Sequence, residues 1–122
     1  MELRYLDFDI SDDEDGATVF DAMASVGAAQ WPALCAEVEA VLAWAEQAFA
    51  GARAPLDDGG EWDFSLDAAQ EARTPVALAW DEGSGRLSAR PGTPGPARHS
   101  LSFSLTGSAG FSAALREAFA LG

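Results

Sequence analysis

The chain has 122 residues, of which 48% are hydrophobic, and a formal net charge of −13 at pH 7. This length suits one domain with a single hydrophobic core. The charge disfavours binding to nucleic acids and to anionic membranes, since both repel a strongly negative protein. The single cysteine, Cys35, excludes an internal disulfide bond.

The composition also indicates the type of organism and the cellular compartment of the protein. Lysine and asparagine are absent and alanine is abundant, a bias typical of bacterial genomes rich in G and C. The absence of lysine excludes Schiff-base chemistry and a lysine-dependent phosphate loop. The N-terminus has no basic region followed by an apolar stretch, so no secretion signal is predicted. We therefore expect a cytoplasmic bacterial protein.

The charge is unevenly distributed along the chain. Residues 1–72 carry 17 acids and two arginines, whereas residues 73–122 carry three acids and five arginines. The highest density of acids lies between Asp7 and Asp15. Such a charge favours solubility whether or not a partner exists.

The first elements in chain order are two strands. Residues 3–10 alternate, with apolar residues on one face and Asp7 and Asp9 on the other. Residues 11–16 are polar and end in an Asp-Gly pair that predicts a turn. Residues 18–26 alternate again, so a β-hairpin with an acidic loop is predicted.

A helix is predicted over Trp31–Ala50. Pro32 suits the first turn, and Gly51 follows the last. Glu37 and Glu46 are expected to face water. The apolar stripe at helical spacing consists of Leu34, Val38, Val41, Leu42, Ala45 and Phe49.

Strands dominate the second half of the chain. Residues 61–68 alternate, and residues 76–80 and 86–90 form a second predicted hairpin. The alternation puts Trp62 and Trp80 on apolar faces, where both are expected in the core. Residues 91–96 contain three prolines and predict a loop.

The C-terminal segment predicts a strand followed by a helix. Residues 100–106 alternate, and Ser108 can cap a short helix over residues 110–121. The order β-β-α-β-β-β-α predicts one α+β domain over residues 1–122. We expect a mostly antiparallel, five- to six-stranded sheet with two helices packed on one face. The acids expected on its open face are Asp7, Asp9, Asp21, Asp63 and Asp67.

No residues predict catalysis or a cofactor, so an enzyme is disfavoured. One histidine, His99, and one cysteine cannot form a transition-metal cluster. The acidic loop over residues 11–16 resembles a calcium-binding loop only in part, because its flanks predict strands and position 22 is alanine. Weak binding of a divalent cation by this loop stays open.

Two further groups of residues could contact a partner. Trp31 and Trp44 are the tryptophans that could serve as exposed anchors, although partial burial is favoured for both. Arg86, Arg90 and Arg98 flank the proline loop and form a basic patch. We expect these arginines to pair with acids of the same chain.

The leading hypothesis is a non-enzymatic binding protein. Its acidic sheet face would engage a basic protein or a second copy of the chain, with charge steering the association. One alternative is a small-molecule-binding or enzymatic domain with a pocket between sheet and helices. Another is an acidic mimic of nucleic acid, or a protein that neutralises a toxin. The sequence does not identify the partner.

Overall fold

The computed structural model describes every residue from Met1 to Gly122. It contains six strands and two helices in the predicted order, which confirms the α+β prediction. The strands are β1 (Asp9–Asp12), β2 (Thr18–Gly27), β3 (Trp62–Glu71), β4 (Val76–Asp81), β5 (Arg86–Pro91) and β6 (Arg98–Gly107), and the helices are α1 (Trp31–Ala48) and α2 (Ala109–Ala118).

The six strands form two antiparallel sheets. Four of them form one sheet in the order β1-β2-β6-β3, and β4 pairs only with β5. The strands expected in one sheet are therefore divided, and β4 and β5 form a separate hairpin. The hairpin is separated from the sheet by residues 72–75, which join β3 to β4, and by residues 92–97, which join β5 to β6. Both connections contain proline, which disfavours continuous strand pairing through them.

The first strand is shorter than predicted. It begins at Asp9, not at residue 3, so Asp7 precedes the sheet and is exposed. Leu6 and Phe8 nevertheless belong to the core. The alternation of apolar and polar residues that predicted a strand corresponds to the burial of these two side chains. The segment before Asp9 nevertheless pairs with no other strand.

Glu37 explains why this segment stays outside the sheet. The expectation that Glu37 faces water is wrong, because it is buried with 8% exposure. Its carboxylate accepts hydrogen bonds from the backbone N–H groups of Arg4, Tyr5 and Leu6 at 2.9–3.1 Å. These amides are thus satisfied by a helix side chain and not by a neighbouring strand.

The core lies between the helices and one face of the four-stranded sheet. Trp62 is fully buried, as predicted, and its ring stacks on Phe111 of α2 with centroids 5.6 Å apart. The sheet contributes Phe20, Ala22, Val26, Leu101, Phe103 and Leu105, and the helices contribute Leu34, Val38, Val41, Ala45, Phe111 and Leu115. Neither helix has both the length and the apolar character needed to cross a membrane.

The junction between β6 and α2 is tightly packed. Ser108 caps α2 as predicted, because its Oγ accepts a hydrogen bond from the N–H of Phe111 at 3.2 Å. The same hydroxyl donates to Glu61 at 2.6 Å. Gly107 lies directly against the Phe111 ring, where a Cβ atom would overlap it.

Candidate binding surfaces

The helices leave one face of the four-stranded sheet open. We call it the outer sheet face, and define it by the outward residues of β1, β2, β6 and β3. Asp9 lies opposite Asp21 in the β1–β2 register, while Asp63 and Asp67 lie opposite Thr106 and Ser102 in the β3–β6 register. The remaining outward positions include Met23, Ser25, Ser65, Ser100 and Ser104.

Four of the five predicted acids are therefore distributed across this face, while Asp7 lies outside the sheet. Asp21 accepts a hydrogen bond from Ser104 Oγ at 2.6 Å, but it also faces Asp9 across the strands, where like charges repel. Neither of these acids forms an ion pair, because the two ion pairs of the chain are Arg53–Glu46 and Arg116–Asp12. The face is thus negative and uncompensated.

Met23 is an apolar position in the middle of this polar face. It is 82% exposed, and its strand partner is Ser102. The surrounding groups are the hydroxyls and carboxylates just described. A protein that contacts this face would meet one flexible apolar side chain inside a ring of polar groups.

The two candidate anchor tryptophans lie away from the outer sheet face. Trp31 is half-buried and stacks on His99 at a centroid distance of 4.8 Å. Trp44 is half-buried and contacts the rings of Phe49, Phe111 and Phe119. Both side chains therefore contribute to packing around the helices.

The acidic loop between β1 and β2 uses some of its carboxylates to build the turn. Asp13 Oδ1 accepts hydrogen bonds from the N–H groups of Asp15 and Ala17, both at 2.9 Å. Asp12 accepts from Thr18 Oγ1 at 2.7 Å and pairs with Arg116. No three acidic, histidine or cysteine side chains of the chain are arranged to hold a metal ion.

An open groove of about 620 Å³ lies beside the acidic loop. Its walls come from the β1–β2 loop, the segment over residues 55–60 and the β6–α2 junction. Its carboxylates are Asp13, Asp15, Asp57 and Asp63. The groove is thus not a pocket between the facing surfaces of the sheet and the helices.

The β4–β5 hairpin has an apolar face that nothing covers. Trp80 lies opposite Leu87, Leu78 opposite Ala89, and Val76 opposite Pro91. Every residue of both strands is exposed. The expectation that Trp80 lies in the core is therefore wrong, since its side chain is 61% exposed.

The opposite face of the hairpin carries arginines. Arg86 and Arg90 alternate with the apolar residues of β5 and share their face with Ser88, as predicted. The expected pairing with acids of the same chain is wrong, because neither side chain forms an ion pair. Arg98, at the start of β6, instead donates to Ser25 Oγ at 3.0 Å.

The hairpin lies at the predicted positions along the chain, but it is separate from the sheet in which it was expected. The signal that could have separated it from the sheet is the pair of proline-containing breaks, at Pro75 and at residues 91–96. Both breaks fall at the same end of the hairpin. No protein-family model, curated protein or solved structure matches the chain, so the surfaces themselves must support any functional conclusion.

Proposed function

We propose that this protein is a non-enzymatic binding protein that associates with other protein chains. The observation that supports the proposal is the β4–β5 hairpin, whose large apolar side chains are all exposed. Val76, Leu78, Trp80 and Leu87 are between 53% and 66% exposed. Contiguous apolar surface on a soluble protein is typical of a protein interaction site.

The hairpin would supply most of the affinity. A tryptophan flanked by aliphatic side chains is a typical anchor, because tryptophan is enriched among the residues that dominate binding energy. An isolated two-stranded hairpin is at best marginally stable in water. Contact with another protein would therefore stabilise the hairpin and bury its apolar face in the same step.

The outer sheet face would have a different role. Its carboxylates at Asp9, Asp21, Asp63 and Asp67 are uncompensated, and the whole chain carries −13. Charge of one sign attracts basic proteins over long range and repels acidic ones, so it contributes more to association rate and selectivity than to affinity. We propose a basic protein as the partner of this face.

The setting that we propose is the bacterial cytoplasm. The single thiol, Cys35, is only partly exposed and forms no disulfide. Chains without disulfides are the rule in reducing compartments. The alanine-rich, lysine-free composition supports a bacterial source.

Photo-crosslinking in the native cells tests the proposal. The photoreactive residue p-benzoylphenylalanine replaces Trp80 on the hairpin, Met23 on the outer sheet face, or Ala113 on the exposed side of α2 as a control. Protein adducts at position 80 or 23, with none at position 113, would support a binding protein. An absence of adducts at both test positions would refute it.

A further inference from the structure

We propose that the β4–β5 hairpin is the interface of a homodimer, in which the apolar faces of two hairpins pack together. This inference rests on the proposed role of the hairpin in protein association and names its partner as a second copy of the chain. The outer sheet face takes no part in this contact and stays available.

The apolar face of the hairpin consists almost entirely of hydrocarbon side chains. The register places Val76, Leu78 and Trp80 beside Pro91, Ala89 and Leu87. The face contains no charged residue and no polar side chain except the Trp80 indole N–H. Arg86 and Arg90 lie on the opposite face, so they stay solvated when the apolar face is covered.

Two such faces together present an apolar area close to the minimum for a specific interface. At exposures of 53–66%, the four large side chains present on the order of 500 Å² of apolar surface, near the upper end of the largest patch on a typical monomer. Complete burial of both patches would remove about 1,000 Å² in total from water, the lower limit for a specific interface. The paired hairpins therefore suffice for a dimer of modest affinity.

A two-fold axis can relate the two hairpins of such a dimer. In a two-fold contact the same patch is used by both subunits, so the patch must complement itself. Two copies of the same uncharged face, each with its apolar residues in the same register, fulfil this condition. Each Trp80 can then cover aliphatic side chains of the second copy. The dimer would thus contain two packed layers of two strands each, whereas a single exposed hairpin is only marginally stable.

The hairpin segment differs in charge from the rest of the chain. Two copies that each carry −13 repel one another over long range. Residues 72–98, which contain the hairpin, carry four arginines and two acids. The hairpin segment thus lies outside the acid-rich half of the chain, and two hairpins in contact bring together only a small charge.

Sedimentation equilibrium of the full chain tests the dimer. We expect the wild-type protein to dimerise, and the dimer to strengthen between low and high NaCl, because salt screens the repulsion and leaves the apolar contact intact. The double variant Leu78→Ser/Trp80→Ser should dimerise roughly thirtyfold more weakly or not at all. The far-UV circular dichroism spectrum of the double variant should match that of the wild type, since neither side chain belongs to the core.

Met23→Ser is the matched control, because it also removes an exposed apolar side chain but lies on the outer sheet face. Its dimerisation should equal that of the wild type. A wild-type chain that stays monomeric at high protein concentration, or a double variant that dimerises as the wild type does, would overturn the proposal. So would a dimer that dissociates as salt rises.

The crosslinking experiment separates this inference from the proposed function. An adduct at position 80 with the mass of two chains supports the homodimer. Adducts at position 80 that contain only a different protein overturn the homodimer and leave the proposed binding role intact. An absence of any adduct at positions 80 and 23 refutes both.

Discussion

The carboxylate of Glu37 accepts a hydrogen bond from the backbone N–H of Tyr5 at 2.9 Å, across 32 positions of the chain. Hydrogen bonds from the amides of Arg4 and Leu6 complete this arrangement. One helix side chain thus fixes the segment before β1, which contributes Leu6 and Phe8 to the core.

Removal of the Glu37 carboxylate should therefore destabilise the protein. Glu37→Ala leaves several amides without their acceptor, and we expect a loss of about 3 kcal/mol in the free energy of unfolding. Glu37→Gln keeps one carbonyl acceptor and should cost about half as much. Urea denaturation measures both, with the exposed Glu39→Gln of the same helix as control. Equal stability of the Ala variant and the control would contradict this account.

Gly107 should tolerate no side chain. A Cβ atom there would overlap the ring of Phe111, which is fully buried and cannot move aside. We expect Gly107→Ala to cost about 2–3 kcal/mol, as overpacking of a core does. Gly110→Ala is the comparison, because that position in α2 is open and alanine favours a helix. Thermal unfolding should show a lower midpoint for the first variant and an equal or higher one for the second.

The outer sheet face should bind a basic polymer in a salt-dependent way. Poly-L-lysine can serve as the probe, and binding should weaken steeply as NaCl rises. Substitution of Asp9, Asp21, Asp63 and Asp67 by Asn should weaken binding more than an equal loss of charge elsewhere. The control variant replaces the exposed acids Glu2, Glu39, Asp58 and Glu117 by their amides. Equal titrations of the two variants would show that net charge alone governs binding.

Acid should loosen the β4–β5 turn, because it protonates the Asp81 carboxylate that accepts hydrogen bonds there. The side-chain hydrogen bond from Ser84, and next the backbone N–H of Gly83, lower the pKa of Asp81. Because this pKa is lower when the hairpin is folded, the carboxylate stabilises the turn above its ordinary pKa of about 4, and this stabilisation is lost as pH falls through the lower, folded value.

An NMR titration of the Asp81 carboxyl carbon measures this effect directly. Ser84→Ala removes the largest cause of the shift and should bring the pKa of Asp81 closer to its ordinary range. Protection factors, which correct for the slower intrinsic amide exchange in acid, should fall in β4 and β5 at acidic pH while those in β6 stay high. An unchanged pKa in the variant would contradict the role given to Ser84.

The comparison of Trp62 with Trp80 shows how much of the fold could be predicted. Both tryptophans occupy apolar positions of alternating strands, and both strands were predicted. Alternation identifies the apolar face of a strand but not what covers that face. Helix α2 covers Trp62, whereas the chain carries Trp80 away from both helices, so one is fully buried and the other is exposed.

The role of Glu37 could not be predicted for a related reason. Helical periodicity placed it beside the apolar stripe, where a carboxylate usually faces water. Its partners lie more than 30 positions earlier, in a segment whose alternation predicted a strand. The local sequence pattern therefore predicted the helices and strands. The burial of Glu37, in contrast, depends on how the segment before β1 packs against α1.

The place of the hairpin in the chain has a consequence for how the domain can vary. Glu71 and Arg98 are neighbours across β3 and β6, so residues 72–97 form an insertion between two strands that already pair with each other. A short turn could connect those strands and leave the four-stranded sheet closed. The insertion can therefore change in length or sequence without disturbing the core. Substitutions that alter the binding partner can thus arise there without a loss of folding stability.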